Sequence, residues 1–147
     1  MSLQELYRDA VIDHNRNPRN FSEMEDATHH SRGLNALCGD DIRVYLKLAG
    51  EAVRAASFIG QASAITMASA SMMTEAIAGQ SRDHALSQCA ALDDLLAGEI
   101  DENLRLQLGP LAALEGVRQY PSRIRAARLP WQAMKAALEG REVASTE

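Results

Sequence analysis

Hydrophobic residues in the first segment recur at the spacing of an α-helix. Side chains at positions i, i+3, i+4, i+7 and i+8 form one apolar stripe, made of Leu3, Leu6, Tyr7, Ala10 and Val11. This pattern predicts a first helix over residues 3–14. Segment 15–20 contains one proline and three asparagines, which favour a turn and end the helix.

A period of two replaces the helical period further along the chain. Residues 41–48 alternate polar and apolar side chains, and residues 53–58 do so more weakly. Such alternation predicts two strands, and the short link at Gly50 predicts that they form a hairpin with one apolar face. A third, weaker strand is predicted over residues 27–34.

Helical patterns return after Gly60, where the chain is rich in alanine, methionine and leucine. Helices are predicted over residues 63–78, 82–97, 110–120 and 122–138. Within the last of these, Pro130 lacks an N–H and crowds the carbonyl of Ala126, so we expect a kink or a helix restart there.

The order of one helix, then strands, then helices predicts an α+β fold. We expect a small antiparallel three-stranded sheet that helices cover on one face, with the N-terminal helix first. One domain is expected over residues 1–142, followed by a frayed tail over residues 143–147.

Composition narrows the classes of function. The 147 residues carry a net charge of −5, and aromatic residues make up 4%, so a basic, stacking surface for nucleic acid is not expected. No apolar run reaches the roughly 20 residues that cross a bilayer, so we expect no membrane partner. Motifs of hydrolases and phosphate-binding loops are lacking, which predicts that the protein is not an enzyme.

The chain has two cysteines, without the spacing of a disulfide framework or a Cys-x-x-Cys motif. This usage favours a reducing compartment, the cytoplasm. Cys89 lies in a segment rich in alanine and leucine and is predicted to be a core residue. Cys38 and Asp40 are separated by one glycine, and a thiolate beside a carboxylate indicates half of a metal site.

Four sequence blocks carry a resemblance to a known family. The blocks are residues 6–20, which include Asn-Pro-Arg-Asn, residues 35–40 (Asn-Ala-Leu-Cys-Gly-Asp), residues 58–75, which include Ala-Ser-Ala-Ser-Met-Met-Thr-Glu, and residues 116–131, which include Pro-Ser-Arg-Ile-Arg-Ala-Ala. In this order the chain resembles the SufU branch of the iron–sulfur cluster scaffold family, related to IscU and the N-terminal domain of NifU. The long stretch 79–110 is similar to SufU rather than IscU.

The resemblance implies a metal that three cysteines and one aspartate hold, either zinc or the iron of a nascent cluster. Matched residue by residue, the first cysteine is Cys38 and the aspartate is Asp40, but the other two cysteines fall on Ser63 and Ala126. A serine hydroxyl is a poor zinc ligand and an alanine methyl is none. Ser63 suits the N-cap of the following helix instead.

Three routes would complete such a site. His29 or His30 would act as a ligand, a second chain would contribute its Cys38 across a dimer, or an external thiol would fill the vacant positions. A histidine pair in a polar loop is also typical of a solvated surface. Without a metal, Cys38 is either a candidate persulfide acceptor or a thiol without function.

Two hypotheses about function follow. In the first, the protein takes part in iron–sulfur cluster assembly with a cysteine desulfurase or another cluster-assembly protein, and Cys38 with Asp40 forms a partial site for metal or sulfur. The resemblance implies zinc or an iron–sulfur cluster as its cofactor. In the second, the fold survives as an interaction module that binds no metal. We expect a monomer or a weak homodimer in either case.

Overall fold

The computed structural model describes residues 1–146. Its helices are α1 Leu3–Arg16, α2 Ala64–Ile77, α3 Arg82–Ala97, α4 Glu102–Leu108 and α5 Pro121–Leu138. Its strands are β1 His29–Asn35, β2 Asp40–Ala49, β3 Ala52–Gln61 and β4 Val143–Ser145. Two 3-10 helices lie at Ala36–Cys38 and Gly109–Val117. The fold is α+β with the N-terminal helix first, and no helix within residues 1–146 is long and apolar enough to cross a membrane.

The sheet is mixed and has four strands in the order β3-β2-β1-β4. Strands β1, β2 and β3 pair antiparallel, whereas β4 runs parallel to β1. The prediction of three antiparallel strands is therefore correct for the hairpin and its neighbour but wrong for the whole sheet. The three residues of β4 show no alternation of their own, and they become a strand because the chain leaving α5 returns along the free edge of β1.

Helices cover one face of this sheet. On β2 the side chains of Ile42, Val44 and Leu46 are buried, while Asp41 and Arg43, on either side of Ile42, are exposed. Helix α5 packs closely on this buried face: a Cβ atom added to Gly33 of β1 would lie 3.2 Å from side-chain atoms of Leu129 and Ala133. The close approach of β1 to α5 explains why this strand position is a glycine.

The core lies between the sheet and the helices. Fully buried side chains include Phe58 of β3, Met73 of α2, Leu92 of α3, and Trp131 and Met134 of α5. The predicted core position of Cys89 is confirmed, since this residue is 2% exposed. Burial raises the pKa of the Cys89 thiol to about 12, with the negative charge of Asp93 acting in the same direction. This thiol therefore stays protonated at neutral pH.

The C-terminal segment 143–147, predicted to fray, is ordered over its first residues. Beyond β4, the backbone N–H of Thr146 donates to the carbonyl oxygen of Leu34 at 3.4 Å. Its hydroxyl donates to the carbonyl oxygen of Arg125 at 3.1 Å. The segment is held by partners far away in sequence, which a local pattern does not reveal. Glu147 lies outside the described residues.

Two helical predictions need correction. The segment predicted as an α-helix over residues 110–120 is the 3-10 helix Gly109–Val117, and α4 precedes it. The 3-10 helix packs against α1 so tightly that a Cβ atom on Gly116 would lie 2.6 Å from Cγ of Tyr7. Of the two alternatives expected at Pro130, a kink or a restart, the restart is wrong, because α5 is continuous from Pro121 to Leu138 with Pro130 inside it.

Candidate functional site

Cys38 lies on the turn that joins β1 to β2. The strand pair Asn35 and Asp40 closes this turn, and Gly39 ends its 3-10 helix with a φ of 72°. Glycine adopts this left-handed conformation without the steric cost of a side chain. The thiol of Cys38 is free and half-buried, and the neighbouring Leu37 is 79% exposed. The turn therefore presents a thiol at the surface, at one end of the sheet.

Asp40 places its carboxylate inside the protein, where the residue is 1% exposed. One oxygen, Oδ1, accepts the backbone N–H of Ser63 at 2.7 Å. The other, Oδ2, accepts the hydroxyl of Thr66 at 2.6 Å. Both donors belong to the start of α2, where the N–H groups of the first turn carry a partial positive charge. The carboxylate thus anchors β2 to the N-terminus of α2.

Ser63 holds the predicted N-cap position of α2, but its side chain accepts no helix N–H. Its hydroxyl oxygen lies 3.1 Å from Oγ1 of Thr66 instead. Thr66 is completely buried, and its Oγ1 also lies 3.2 Å from the carbonyl oxygen of Ala126. One hydroxyl therefore contacts three of the four positions at which the family resemblance places metal ligands: Asp40, Ser63 and Ala126.

Ala126 is buried on α5 and offers its backbone carbonyl to α2. In a regular helix this oxygen would accept an N–H from residue 130, but Pro130 has none. The hydroxyl of Thr66 lies at this vacant acceptor. One residue later, the carbonyl oxygen of Ala127 accepts the hydroxyl of Ser69 at 2.6 Å. Hydroxyls of α2 thus bind carbonyls of α5 along the contact of the two helices.

The two histidines considered as substitute ligands lie elsewhere. His29 begins β1 opposite Leu46, whereas Asn35 ends β1 opposite Asp40. Six residues of extended strand separate these ends by roughly 20 Å. His29 instead bonds through Nδ1 to the hydroxyl of Thr28 at 2.8 Å, and His30 is exposed. Neither histidine reaches Cys38 or Asp40, so the histidine route to a complete metal site is wrong.

Comparisons with known proteins agree with this fold and identify the family. A family model described as the NifU-like N terminal domain matches residues 6–127. The chain belongs to the NifU-like N-terminal domain family. It is 42% identical to the zinc-dependent sulfurtransferase SufU of Bacillus subtilis over 91% of this chain and 90% of that protein. The iron–sulfur cluster assembly scaffold protein IscU of Streptococcus pyogenes is 31% identical over 93% of this chain and 85% of its own length.

A solved structure supports the same assignment. The SufU-type protein of Fervidobacterium islandicum, assigned as an assembly scaffold for the SUF system, superposes with a TM-score of 0.83 at 29% identity, covering 92% of this chain and 98% of that one. The predicted membership of the SufU-like branch of the NifU and IscU family is confirmed by these relatives.

The donor chemistry of this NifU-like domain does not fit a zinc ion or a cluster. Among residues 1–146, no group of three or more histidine, cysteine, aspartate or glutamate side chains is placed to hold a metal ion. The site has one thiol on Cys38 and one carboxylate on Asp40, whose two oxygens already accept hydrogen bonds. A structural zinc site requires four ligands, with thiolate or imidazole donors among them. Ser63 and Ala126 supply neither.

One prediction about this NifU-like domain is contradicted. The chain lacks the motifs of self-contained enzymes and was expected not to be an enzyme, yet its 42% identical relative is a sulfurtransferase. The similarity points to a sulfur-transfer activity. Hydrolase motifs do not reveal such an activity, because accepting and passing on a sulfur atom needs one nucleophilic thiol and no set of hydrolytic residues.

Thr66 is the site residue that the sequence reading missed. It lies within a family block and follows Ser63 by three positions, so it lies beside Ser63 on the first turn of a helix. Its hydroxyl is one of four in α2, so composition does not single it out, and the spacing from Ser63 is the available signal. Its partners, 26 residues before it and 60 residues after it, were not available from spacing.

A second polar feature lies away from Cys38, at a cavity of about 490 Å³ between the four helices α1 to α4 and the 3-10 helix Gly109–Val117. His14 and Glu75 line it. The ring Nδ1 of His14 bonds to the hydroxyl of Ser71 at 2.7 Å, and Nε2 lies 3.9 Å from Oε1 of Glu75. Burial is the main cause that lowers the pKa of His14, and the positive charge of Arg19 adds to it.

Proposed function

We propose that the protein works in iron–sulfur cluster assembly as a sulfur-transfer partner of a cysteine desulfurase, with Cys38 as the acceptor thiol. The observation that carries this proposal is the placement of the two thiols in a sulfurtransferase-like fold. Cys38 lies half-buried on a surface turn, whereas Cys89 is 2% exposed in the core. Since the sequence has no other cysteine, only Cys38 is open to a sulfur donor.

The transfer step is a thiol–persulfide exchange. The thiolate of Cys38, having released its proton to solvent, attacks the terminal sulfur of a cysteine persulfide on the desulfurase. A new sulfur–sulfur bond forms on Cys38, the sulfur–sulfur bond of the donor breaks, and the donor cysteine leaves as a thiolate. The terminal sulfur keeps its proton. One sulfur–sulfur bond replaces another and the transferred sulfur keeps its oxidation level, so the exchange needs no external oxidant or reductant.

The structure supports this role through the fixed position of the acceptor. Asp40, two residues after Cys38, is locked to the start of α2 by two hydrogen bonds of 2.6 and 2.7 Å. On the other side, Asn35 begins the turn in a strand pair with Asp40. The short segment between these anchors holds the thiol within a narrow region, which lowers the entropic cost of presenting it to a partner.

The test uses purified protein, a cysteine desulfurase of the SUF type and cysteine. We expect mass spectrometry of nonreduced peptides to find one added sulfur on Cys38 and the desulfurase turnover to rise. Cys38→Ser should lose both effects, and Cys89→Ala, which removes the buried thiol, should retain them.

A different result would overturn the proposal. If Cys38→Ser accelerates the desulfurase as well as the unaltered protein does, and no added sulfur is found on Cys38, the thiol plays no part. The protein would then act on its partner through its surface alone, as the second hypothesis from the sequence describes.

A further inference from the structure

A buried polar cluster occupies the junction of β2, α2 and α5, where the family resemblance places a metal. Its members are Asp40, Ser63, Thr66 and the backbone carbonyl of Ala126. Asp40 and Thr66 are 1% and 0% exposed, and Ala126 is 3% exposed. The cluster is therefore closed to solvent on most sides, in a region where unsatisfied polar atoms are costly.

The protons in this cluster can be assigned from its distances. A hydroxyl carries one proton and two acceptor lone pairs. The shorter contact of Thr66, 2.6 Å to Oδ2 of Asp40, takes its proton, and the carbonyl of Ala126 at 3.2 Å shares it as a weaker acceptor. The hydroxyl of Ser63 then donates to Oγ1 of Thr66 at 3.1 Å. Every hydroxyl proton in the cluster has an acceptor.

The charge of Asp40 is balanced without a cation. Among the ion pairs formed by residues 1–146, none includes this carboxylate. Its oxygens accept one backbone N–H and one hydroxyl from the start of α2, and the partial positive charge of that helix terminus offsets the negative charge. A carboxylate satisfied in this way does not depend on a metal ion for its burial.

We propose that Thr66 replaces the metal ion of the family, so that its hydroxyl joins the segments carrying Asp40, Ser63 and Ala126 and keeps this site closed without zinc. A bound metal stabilises a fold by linking ligand-bearing segments. Here the hydroxyl belongs to the same helix start as Ser63, which it contacts at 3.1 Å. It links that helix start to Asp40 at 2.6 Å and to the carbonyl oxygen of Ala126 at 3.2 Å, so the same three segments are joined. Cys38, the fourth position, is left as a thiol that no metal holds.

Pro130 makes this replacement effective. Because Pro130 has no N–H, the carbonyl oxygen of Ala126 is free of its usual helical bond and available to a side chain. Thr66 approaches this carbonyl, and Ser69 bonds to the next one. The link between α2 and α5 is therefore built from a local break in the hydrogen bonding of α5.

The first experiment measures metal and stability together. Protein purified without a chelator or an affinity metal should contain far less than one zinc per chain by elemental analysis. Its melting temperature should not change when zinc or EDTA is added. Stoichiometric zinc whose removal lowers the melting temperature would overturn the proposal, whatever the result of the sulfur-transfer assay.

The second experiment asks whether the hydroxyl and a metal do the same task. Thr66→Val keeps the shape of the side chain and removes its hydrogen bonds, which should lower the melting temperature by roughly 5–10 °C. The double substitution Ser63→Cys with Ala126→Cys restores the family ligand set and should bind one zinc. In the zinc-loaded double variant, adding Thr66→Val should lower the melting temperature by less than half as much as it does in the unaltered protein.

Ser69→Ala is the matched control for this experiment. It removes another buried hydroxyl of α2 that bonds to α5, but one outside the Asp40 cluster. Its effect on the melting temperature should be the same with and without the zinc-loaded site. The proposal fails if Thr66→Val lowers the melting temperature equally with and without the zinc-loaded site, because Thr66 would then be an ordinary buried hydroxyl. It also fails if the double variant binds no zinc, because the three segments would not meet at one point.

Discussion

The ring Nδ1 of His14 in α1 lies 2.7 Å from the hydroxyl oxygen of Ser71 in α2. The same hydroxyl oxygen accepts the backbone N–H of Arg19 at 2.8 Å, so Ser71 joins α1 and the turn after it to α2. The residue His14 is only 8% exposed. This relationship makes a titratable group part of the packing between two helices.

We predict that His14 makes stability fall as the pH drops below neutrality. Burial and the nearby Arg19 lower the pKa of His14 below its ordinary value of 6.5, so the unfolded chain takes up a proton more readily than the folded one. The contribution of neutral His14 to the free energy of unfolding is complete above the pKa of His14 in the unfolded chain. It is lost as the pH falls from there through the lowered pKa of the folded state. Urea unfolding between pH 8 and pH 5 would measure it.

Two variants separate His14 from other acid effects. His14→Gln should flatten the fall in stability between pH 7 and pH 5, even if it lowers stability at every pH. His30→Gln, which alters an exposed histidine, should leave the fall as it is. An unchanged slope in His14→Gln would show that another group is responsible.

The two cysteines should differ sharply in reactivity. The pKa of Cys89 is raised to about 12 by burial, so only about one in ten thousand of these thiols is ionised at pH 8 even when accessible. An alkylating reagent at pH 8 should modify Cys38 within minutes and Cys89 only after unfolding in denaturant. Rapid modification of Cys89 in the folded protein, located by peptide mapping, would contradict the buried position.

Gly116→Ala should destabilise the protein by about 1–3 kcal/mol, because it forces extra volume into a closed contact. The new Cβ atom would lie 2.6 Å from Cγ of Tyr7, so α1 or the 3-10 helix must move. Denaturant unfolding gives the size of the effect.

Trimming the opposing side chain provides a control for Gly116. Combined with Tyr7→Ala, which removes the ring, Gly116→Ala should cost much less than it does alone. If the two substitutions lower the free energy of unfolding by the sum of their separate effects, the contact between Tyr7 and Gly116 does not explain the destabilisation by Gly116→Ala.

The last residues should contribute to stability rather than fray. A chain ending at Glu142 loses β4 and both hydrogen bonds of Thr146 to Leu34 and Arg125. We expect a melting temperature several degrees lower, and slower hydrogen exchange along β1 in the full-length protein than in the shortened one. Equal exchange in both would mean that β4 does not protect the edge of β1.

Elements with a strong local pattern were predictable from the sequence. The alternation on β2 puts Ile42, Val44 and Leu46 on one face, and the structure buries these three. The bounds of α3, Arg82–Ala97, agree with the prediction over residues 82–97. In both cases the burial of one face follows from the spacing of apolar residues, which the sequence displays directly.

Other elements depend on contacts between distant parts of the chain, which the spacing of apolar residues does not predict. Strand β4 exists because β1 offers an unpaired edge, and Gly109–Val117 takes its form in close contact with Tyr7. At the candidate site, Cys38 and Asp40 could be found from a family motif. The role of Thr66 could not, because it depends on the carboxylate of Asp40 and on a carbonyl freed by Pro130, both distant in sequence.

The separation of the two thiols has a consequence for oxidation. In many redox proteins a second cysteine close to the reactive one attacks an oxidised or persulfidated sulfur and releases it as an internal disulfide. Cys89 cannot act as such a resolving thiol, because it is buried in the core with its Sγ against the carbonyl of Trp131. A sulfenic acid or persulfide formed on Cys38 is therefore not converted to an internal disulfide, and any disulfide that Cys38 forms joins it to a second molecule.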